Sequence, residues 1–304
     1  MIDLLLLGTG GMLPLPDRWL SSLLVRCQGE LILFDCGEGT QIPWRRFSWG
    51  FRRLGAICLS HVHADHVAGL PGLLHSLANA GRTEPVALFG PAGTAPVVAG
   101  LREIAPILPY ELRVTELAGG ERFDLPGGLR GTVTPGRHGL PTLAYRVDAH
   151  RARPFLPERA RALDVPQRFW RGLQRGETAR WAAGEVTPDQ VLGPPRRGLA
   201  FAYVTDTRPV PAFVSLLAGV DLLVCEGTYG DSADGSKAVE RGHMTFAEAA
   251  TLAREAGVGS LWLTHFSPAL TDPAAFLPQA TAIFPATTIG SSGLTGTLSF
   301  TDAE

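Results

Sequence analysis

The sequence predicts an α/β protein in which two β-sheets pack on each other with helices outside. Three observations predict it. Short runs rich in Leu, Val and Ile recur between turn signals, as strands do. They fall in two clusters interleaved with helical patterns, which gives two similar blocks to be layered. At 304 residues and 45% hydrophobic content, the chain is long enough to bury the large core such layers need.

The first cluster of strand runs covers 2–7, 23–27, 31–34, 56–59, 86–89, 112–117, 129–134 and 143–147. The second covers 199–204, 222–225, 260–264 and 298–300. Helical patterns occupy 69–80, 209–217 and 245–256. The last carries its own punctuation: Thr245-Phe246-Ala247-Glu248 fits a capping box and Gly257 supplies the stop. His243 is thereby fixed just ahead of a helix N-terminus, where unpaired N–H groups favour a phosphate.

Between the clusters, 149–198 has little apolar periodicity, many prolines and ten arginines against five acidic residues. It reads as an arginine-rich insertion in a single domain spanning 1–304. Its excess of +5 sits inside a chain of net charge −2, so a basic patch is hidden in a near-neutral total. The apolar start of the chain has no basic flank and ends at once in Gly8-Thr9-Gly10-Gly11, a strand and turn rather than a signal peptide. No run approaches the roughly 18 apolar residues of a membrane span. Cys27, Cys36, Cys58 and Cys225 are scattered without a Cys-x-x-Cys pair, which points to reduced core thiols in a cytoplasm.

The buried-strand run 56–60 leads into His61-Val62-His63-Ala64-Asp65-His66, four metal-ligating side chains within six positions. Imidazole nitrogens and carboxylate oxygens suit Zn²⁺ at about 2.0–2.2 Å. Residues two apart in extended chain project to one side, so His61 and His63 can share an ion. Once the chain turns, Asp65 and His66 point elsewhere, toward a second ion about 3.5–4 Å away. Further ligands should end other strands, and His138, Asp206 and His265 do so. Singly, a strand-end Asp is commonly a turn former and a lone His a packed or surface residue; jointly they complete a two-metal set. His75 and His150 match no such position and read as structural or surface residues.

This constellation resembles the metallo-β-lactamase superfamily over nearly the whole chain. The resemblance implies an αββα sandwich in which His61, His63 and His138 hold one zinc, Asp65, His66 and His265 hold the second, and Asp206 bridges them. Mn²⁺ or Mg²⁺ are possible substitutes. Asp35, in Phe34-Asp35-Cys36-Gly37-Glu38-Gly39, would orient the metal loop from behind the ligands.

Within the superfamily, further stretches are similar to the ribonuclease Z family. They include Leu33 to Gln41, His66 to Leu74, His138-Gly139-Leu140-Pro141, Gly176-Glu177-Thr178, Pro194 to Gly198, Thr205-Asp206-Thr207-Arg208, Glu226-Gly227-Thr228-Tyr229, His243-Met244-Thr245 and Leu263 to Ser267. The resemblance implies an endoribonuclease that removes the 3′ trailer from precursor tRNA, leaving a 3′-hydroxyl on the tRNA and a 5′-phosphate on the trailer. Asp65 would take or position the proton of the attacking water. His243, oriented by Glu226, would protonate the leaving 3′ oxygen.

On this resemblance 149–198 becomes a protruding tRNA-binding arm, with Arg168, Arg171, Arg175, Arg196 and Arg197 as contacts, and a homodimer is implied. The chain departs from the family at Pro166-Gln167-Arg168-Phe169, where a Gly-Pro pair is frequent, and follows it loosely at Pro14 to Trp19. The residues alone leave two alternatives open. One is a phosphodiesterase or thioester or lactone hydrolase using the same metals on a small substrate. The other is a tRNA-binding homologue without catalysis, which would be expected to have lost ligands that this chain retains.

Overall fold

The structure, a computed structural model, describes residues 1–182 and 184–300. It divides into two compact units, one formed by Met1–Ala149 with the chain from Leu199 onward, the other by His150–Gly198. In chain order the strands are β1 (Ile2–Gly8), β2 (Ser22–Cys27), β3 (Glu30–Phe34), β4 (Leu54–Cys58), β5 (Val86–Gly90), β6 (Leu112–Glu116), β7 (Arg122–Leu125), β8 (Leu129–Pro135), β9 (Leu143–Ala149), β10 (Ala179–Trp181), β11 (Gly184–Val186), β12 (Leu199–Val204), β13 (Leu222–Glu226), β14 (Leu261–Thr264), β15 (Thr287–Ile289) and β16 (Thr295–Leu298).

In the larger unit the strands form two mixed sheets of seven, ordered β16-β1-β2-β3-β4-β5-β6 and β15-β14-β13-β12-β9-β8-β7. Alternate residues explain the layering. Leu4, Leu6, Val25, Ile32 and Phe34 of the first sheet join Val133, Tyr145, Val147, Phe201 and Tyr203 of the second in one buried cluster between the sheets. Leu5, Leu7, Leu24 and Leu33 face the other way, onto Trp44 and the helix Leu70–Asn79, whose Leu70, Leu73, Leu74 and Leu77 form one buried stripe. On the far face of the second sheet, Ala202, Val204, Leu223 and Leu263 meet Phe213, Phe246, Ala249 and Ala253 of the helices Ala212–Leu217 and Phe246–Glu255. Strands buried on both faces must be apolar at nearly every position, which is why they read as continuous runs.

The two clusters seen in the sequence do not correspond one to one with the two sheets. β7, β8 and β9 precede the insertion yet belong to the second sheet, and β16 returns to pair antiparallel with β1, Ile2 opposite Leu298. An apolar run carries no mark of which sheet it joins. The final strand also lies at Thr295–Leu298 rather than 298–300, and β7 and β15 were not anticipated: these are short edge strands, partly exposed and rich in polar residues.

The helix Phe246–Glu255 is capped as its sequence signals. Glu248 N–H donates to Thr245 Oγ1 at 3.2 Å and Thr245 N–H to Glu248 Oε2 at 2.9 Å. Among the described residues no helix is long and apolar enough to cross a membrane. All four cysteines are buried and free.

The unit His150–Gly198 has its own small core of Ala160, Val165, Leu173, Ala179, Val186 and Val191. Around it lie the helices Pro157–Ala162, Trp170–Gln174 and Pro188–Val191 and the β10–β11 hairpin. Phe169 and Trp170 pack against this core, and the Trp170 indole donates to the Val165 carbonyl at 3.0 Å. Elements of three to six residues are too short to show a periodicity, hence the featureless sequence.

Candidate metal centre

Strands β3 and β4 run parallel, as do β12, β13 and β14, so their C-terminal ends gather side chains at one edge of the sandwich. Asp35 follows β3, His61 to His66 follow β4, Asp206 follows β12, Glu226 ends β13 and His265 follows β14. His138 comes from the turn between β8 and β9. Asp35, Asp206 and His265 all have positive φ, at 55°, 49° and 58°. That left-handed backbone costs a non-glycine residue on the order of 1–3 kcal/mol and is tolerated where surrounding bonds over-determine it.

Two groups of donor atoms converge. His61 Nε2 lies 2.8 Å from His63 Nδ1 and 3.5 Å from Asp206 Oδ2, while His138 Nε2 lies 3.3 Å from His63 Nδ1 and 3.8 Å from Asp206 Oδ2. In the second group His66 Nε2 is 3.4 Å from Asp65 Oδ2, 3.4 Å from Asp206 Oδ1 and 3.2 Å from His265 Nε2. His265 Nε2 is 2.9 Å from Asp206 Oδ1 and 3.5 Å from Asp65 Oδ2. The two oxygens of Asp206 thus face different groups. Ligands held tetrahedrally at about 2.0–2.2 Å from an ion stand about 3.3–3.6 Å apart, and the separations here, 2.8–3.8 Å, bracket that value, so each group can close around one ion.

The opposite sides of the His61, His66, His138 and His265 rings are held as well. Asp35 is fully buried: its Oδ1 accepts from Ser60 N–H at 2.7 Å, and its Oδ2 meets Ser60 Oγ at 2.8 Å, His66 Nδ1 at 2.8 Å and the Tyr203 hydroxyl at 3.0 Å. Ser60 Oγ also lies 3.0 Å from His61 Nδ1, the Gly242 carbonyl 3.1 Å from His138 Nδ1, and Thr228 Oγ1 3.2 Å from His265 Nδ1. Such outer bonds fix ring orientation and leave the inward nitrogen for a metal. Asp65 is steadied by the Met12 N–H at 2.7 Å, and the preceding residue must be glycine, since a Cβ on Gly11 would stand 2.4 Å from His265 Cε1.

The electrostatics divide the two groups. Burial pushes the His61 imidazole well down, with neighbouring imidazoles adding to it, and burial lowers His138 too. Burial also opposes charge on His265, but Asp206 and Asp65 outweigh it and raise its pKa to about 10. His66 is raised likewise, against burial, by Asp206 and Asp35. Carboxylates that draw protons onto rings would equally draw a divalent cation, and neutral rings are the form that ligates. The donor set fits two divalent ions.

Beside these groups lies an imidazole–carboxylate pair. Glu226, fully buried, accepts from Thr207 N–H at 2.6 Å, Thr228 Oγ1 at 2.8 Å and Met244 N–H at 2.9 Å, and its carboxylate lies 3.3 Å from His243 Nδ1. Burial would lower the His243 pKa, but Glu226 outweighs it and the pKa is raised. The His243 ring stands 5.0 Å from that of His138 and 5.5 Å from that of His265.

All seven residues read as ligands, with Asp35, Glu226 and His243, therefore meet at one edge of the larger unit. The five arginines named from the sequence lie in the other unit. There Arg168, Arg171, Arg175 and Arg197 are exposed, Arg175 pairs with Glu177, and the half-buried Arg196 donates to the Ala152 carbonyl. His75 and His150 are exposed. Sequence reading missed Ser60, Tyr203, Thr228 and Arg208. Arg208, buried, ion-pairs with Glu248 and donates to the His243 carbonyl at 2.5 Å. Its place directly after Thr205-Asp206-Thr207 was the available signal.

The fold, with its paired donor groups at the strand ends, is of the metallo-β-lactamase type, and residues 30–156 and 171–266 match the family described as Beta-lactamase superfamily domain. The chain is 44% identical over 304 residues to Ribonuclease Z of Lachnoclostridium phytofermentans, covering 100% of both, and 44% identical over 301 residues to that of Clostridium kluyveri, covering 99% of each. It belongs to the ribonuclease Z family of the β-lactamase superfamily. Among solved structures, human tRNase Z, short form, superposes with a TM-score of 0.71 at 24% identity, over 98% of this chain and 100% of that one. The metallo-β-lactamase fold protein YhfI from Bacillus subtilis gives 0.71 at 19%, over the same shares. These two likenesses speak to the fold.

Proposed function

We propose that this protein is the metal-dependent endoribonuclease that removes the 3′ trailer from precursor tRNA, leaving a 3′-hydroxyl on the tRNA and a 5′-phosphate on the trailer. One observation carries the reading: 44% identity extends over the full length of a relative named Ribonuclease Z. A small-substrate hydrolase on the same metals is not favoured, since the relatives cited carry that one name.

His61, His63, His138 and Asp206 Oδ2 would hold one ion, and Asp65, His66, His265 and Asp206 Oδ1 the other, as Zn²⁺ with Mn²⁺ or Mg²⁺ as substitutes. Two divalent ions bound there would neutralise the scissile phosphate and bring the pKa of a water to about 7. Asp65, its carboxylate fixed by the Met12 N–H, accepts or positions the proton of the attacking water. His243 presents the opposite proton: with Nδ1 held at Glu226, Nε2 remains to protonate the departing 3′ oxygen. The raised His243 pKa keeps that proton available to higher pH than an unperturbed imidazole would.

The arginine-rich unit is the tRNA contact in this reading, using Arg168, Arg171, Arg175, Arg196 and Arg197 on phosphates, without sequence readout. The working form is a cytoplasmic homodimer. The test is incubation of purified protein with a tRNA carrying a 3′ trailer, with and without chelator, and mapping of the ends. One chelator-sensitive cut that leaves a 3′-hydroxyl on the tRNA is expected. A cut elsewhere, or one indifferent to chelator, would sink the proposal.

A further inference from the structure

We infer that the Thr228 hydroxyl is a positioning group that sets, from one atom, the tautomers of both His243 and His265, and so couples the proton donor to the metal ligands. This rests on the endonuclease reading above.

Thr228 lies two residues past Glu226 and is 1% exposed. Its Oγ1 donates to Glu226 Oε2 at 2.8 Å. Glu226 Oε2 is the acceptor of that bond, so the single hydroxyl proton is committed there. The carboxylate is in turn fixed by the Thr207 and Met244 N–H groups, at 2.6 and 2.9 Å, so the direction of the hydroxyl proton is dictated from behind. What remains on Oγ1 are two lone pairs, and they face His243 Nδ1 and His265 Nδ1, each at 3.2 Å.

A hydroxyl that has spent its proton can bond those nitrogens only as an acceptor. Both Nδ1 atoms must therefore carry hydrogen. For His265 the lone pair is then on Nε2, the atom that faces Asp206 at 2.9 Å and His66 at 3.2 Å. For His243 the Nδ1–H is shared between Glu226 and Thr228, and Nε2 is the atom left to give a proton to substrate. The two rings lie nearly parallel, 24° apart, with centroids 5.5 Å apart, an arrangement that lets both Nδ1 atoms address one oxygen.

The test compares Thr228→Val, which keeps the shape and removes the hydroxyl, with Thr228→Ser, which keeps the hydroxyl. Three readouts are taken: kcat and KM on a precursor tRNA, Zn²⁺ affinity by chelator competition, and kcat on the same tRNA with the scissile 3′ oxygen replaced by sulfur, a leaving group that needs no proton. The valine variant should lose roughly 10- to 100-fold in kcat at unchanged KM and a similar factor in Zn²⁺ affinity, as removal of other outer-shell partners does. Serine should restore both to within a few-fold, and the kcat deficit of the valine variant should shrink on the sulfur substrate. A valine variant with wild-type kcat and Zn²⁺ affinity, a serine variant as defective as valine, or an undiminished deficit on the sulfur substrate would each overturn the inference. Wild-type protein that leaves precursor tRNA uncut sinks the endonuclease reading instead, and the Zn²⁺ comparison of the two variants still tests Thr228.

Discussion

The turns of the metal centre and the arginine-rich unit are built in opposite ways. Around the metal centre, polar side chains are buried and bonded on both sides, as Asp35 with its four partners and Glu226 with its three backbone and side-chain donors illustrate. In the other unit charge is on the surface: the pairs Arg175–Glu177 and Arg180–Glu185 are largely exposed, around a small apolar core. Exposed pairs are screened by water and contribute little, whereas breaking a buried pair costs about 3–5 kcal/mol. A group that must meet a reacting atom is over-determined by its neighbours. A group that meets a phosphate through long-range attraction needs only charge and reach.

The contrast breaks first at the donor groups. His63 Nδ1 lies within 3.3 Å of two other donors, so His63→Ala should abolish turnover on precursor tRNA and lower metal content. Full activity at normal metal content would remove His63 from the site. His243→Ala should reduce kcat by roughly 10²- to 10⁴-fold and leave tRNA binding intact, and an unchanged kcat would end its assignment as proton donor. Glu226 raises the His243 pKa, so Glu226→Gln should lower it and move the alkaline fall of kcat toward lower pH. A limb that stays put would mean another group sets it.

The same contrast explains what the sequence disclosed. His61 to His66 was legible as a donor cluster because a strand followed by a turn places four imidazole and carboxylate side chains within six positions, and the capping box at Thr245 was legible because it is local. Thr228 was not, since nothing in Glu226-Gly227-Thr228-Tyr229 announces that one hydroxyl meets three side chains from three parts of the chain. The positive φ of Asp35, Asp206 and His265 was equally hidden, because neither Asp nor His at a strand end requires it. In the fold, the sandwich was readable from strand runs, but assignment of β7, β8, β9 and β16 to sheets depends on long-range pairing that no local pattern encodes. The core of the arginine-rich unit escaped because Ala160, Val165, Leu173 and Val186 come from elements too short for a period to emerge.

On the other side of the comparison, the arginine-rich unit should be separable from chemistry. Ala149 and Leu199 already face each other across β9 and β12, so a short turn can replace 150–198 without disturbing the sheet. Such a protein should hydrolyse a small model diester at the wild-type rate and lose roughly 10²-fold in kcat/KM on precursor tRNA, the loss shrinking as salt rises. Equal losses on both substrates would show that the unit supports the metal centre itself.

The smallest effect sharpens the same point. Arg168 and Arg171 are exposed, and Arg168 lies over the Phe169 ring at 4.9 Å, so neither holds a buried partner whose loss would unfold the unit. Replacing both with alanine should leave kcat and thermal stability unchanged and raise KM for precursor tRNA by about 3- to 10-fold at low salt. Each phosphate contact removed should reduce the slope of log K against log[salt] by about 1. Weaker binding with an unchanged slope would mean that these arginines act by shape or stacking rather than by charge, and the division between a pre-set buried centre and an electrostatic clamp would have to be redrawn at Phe169.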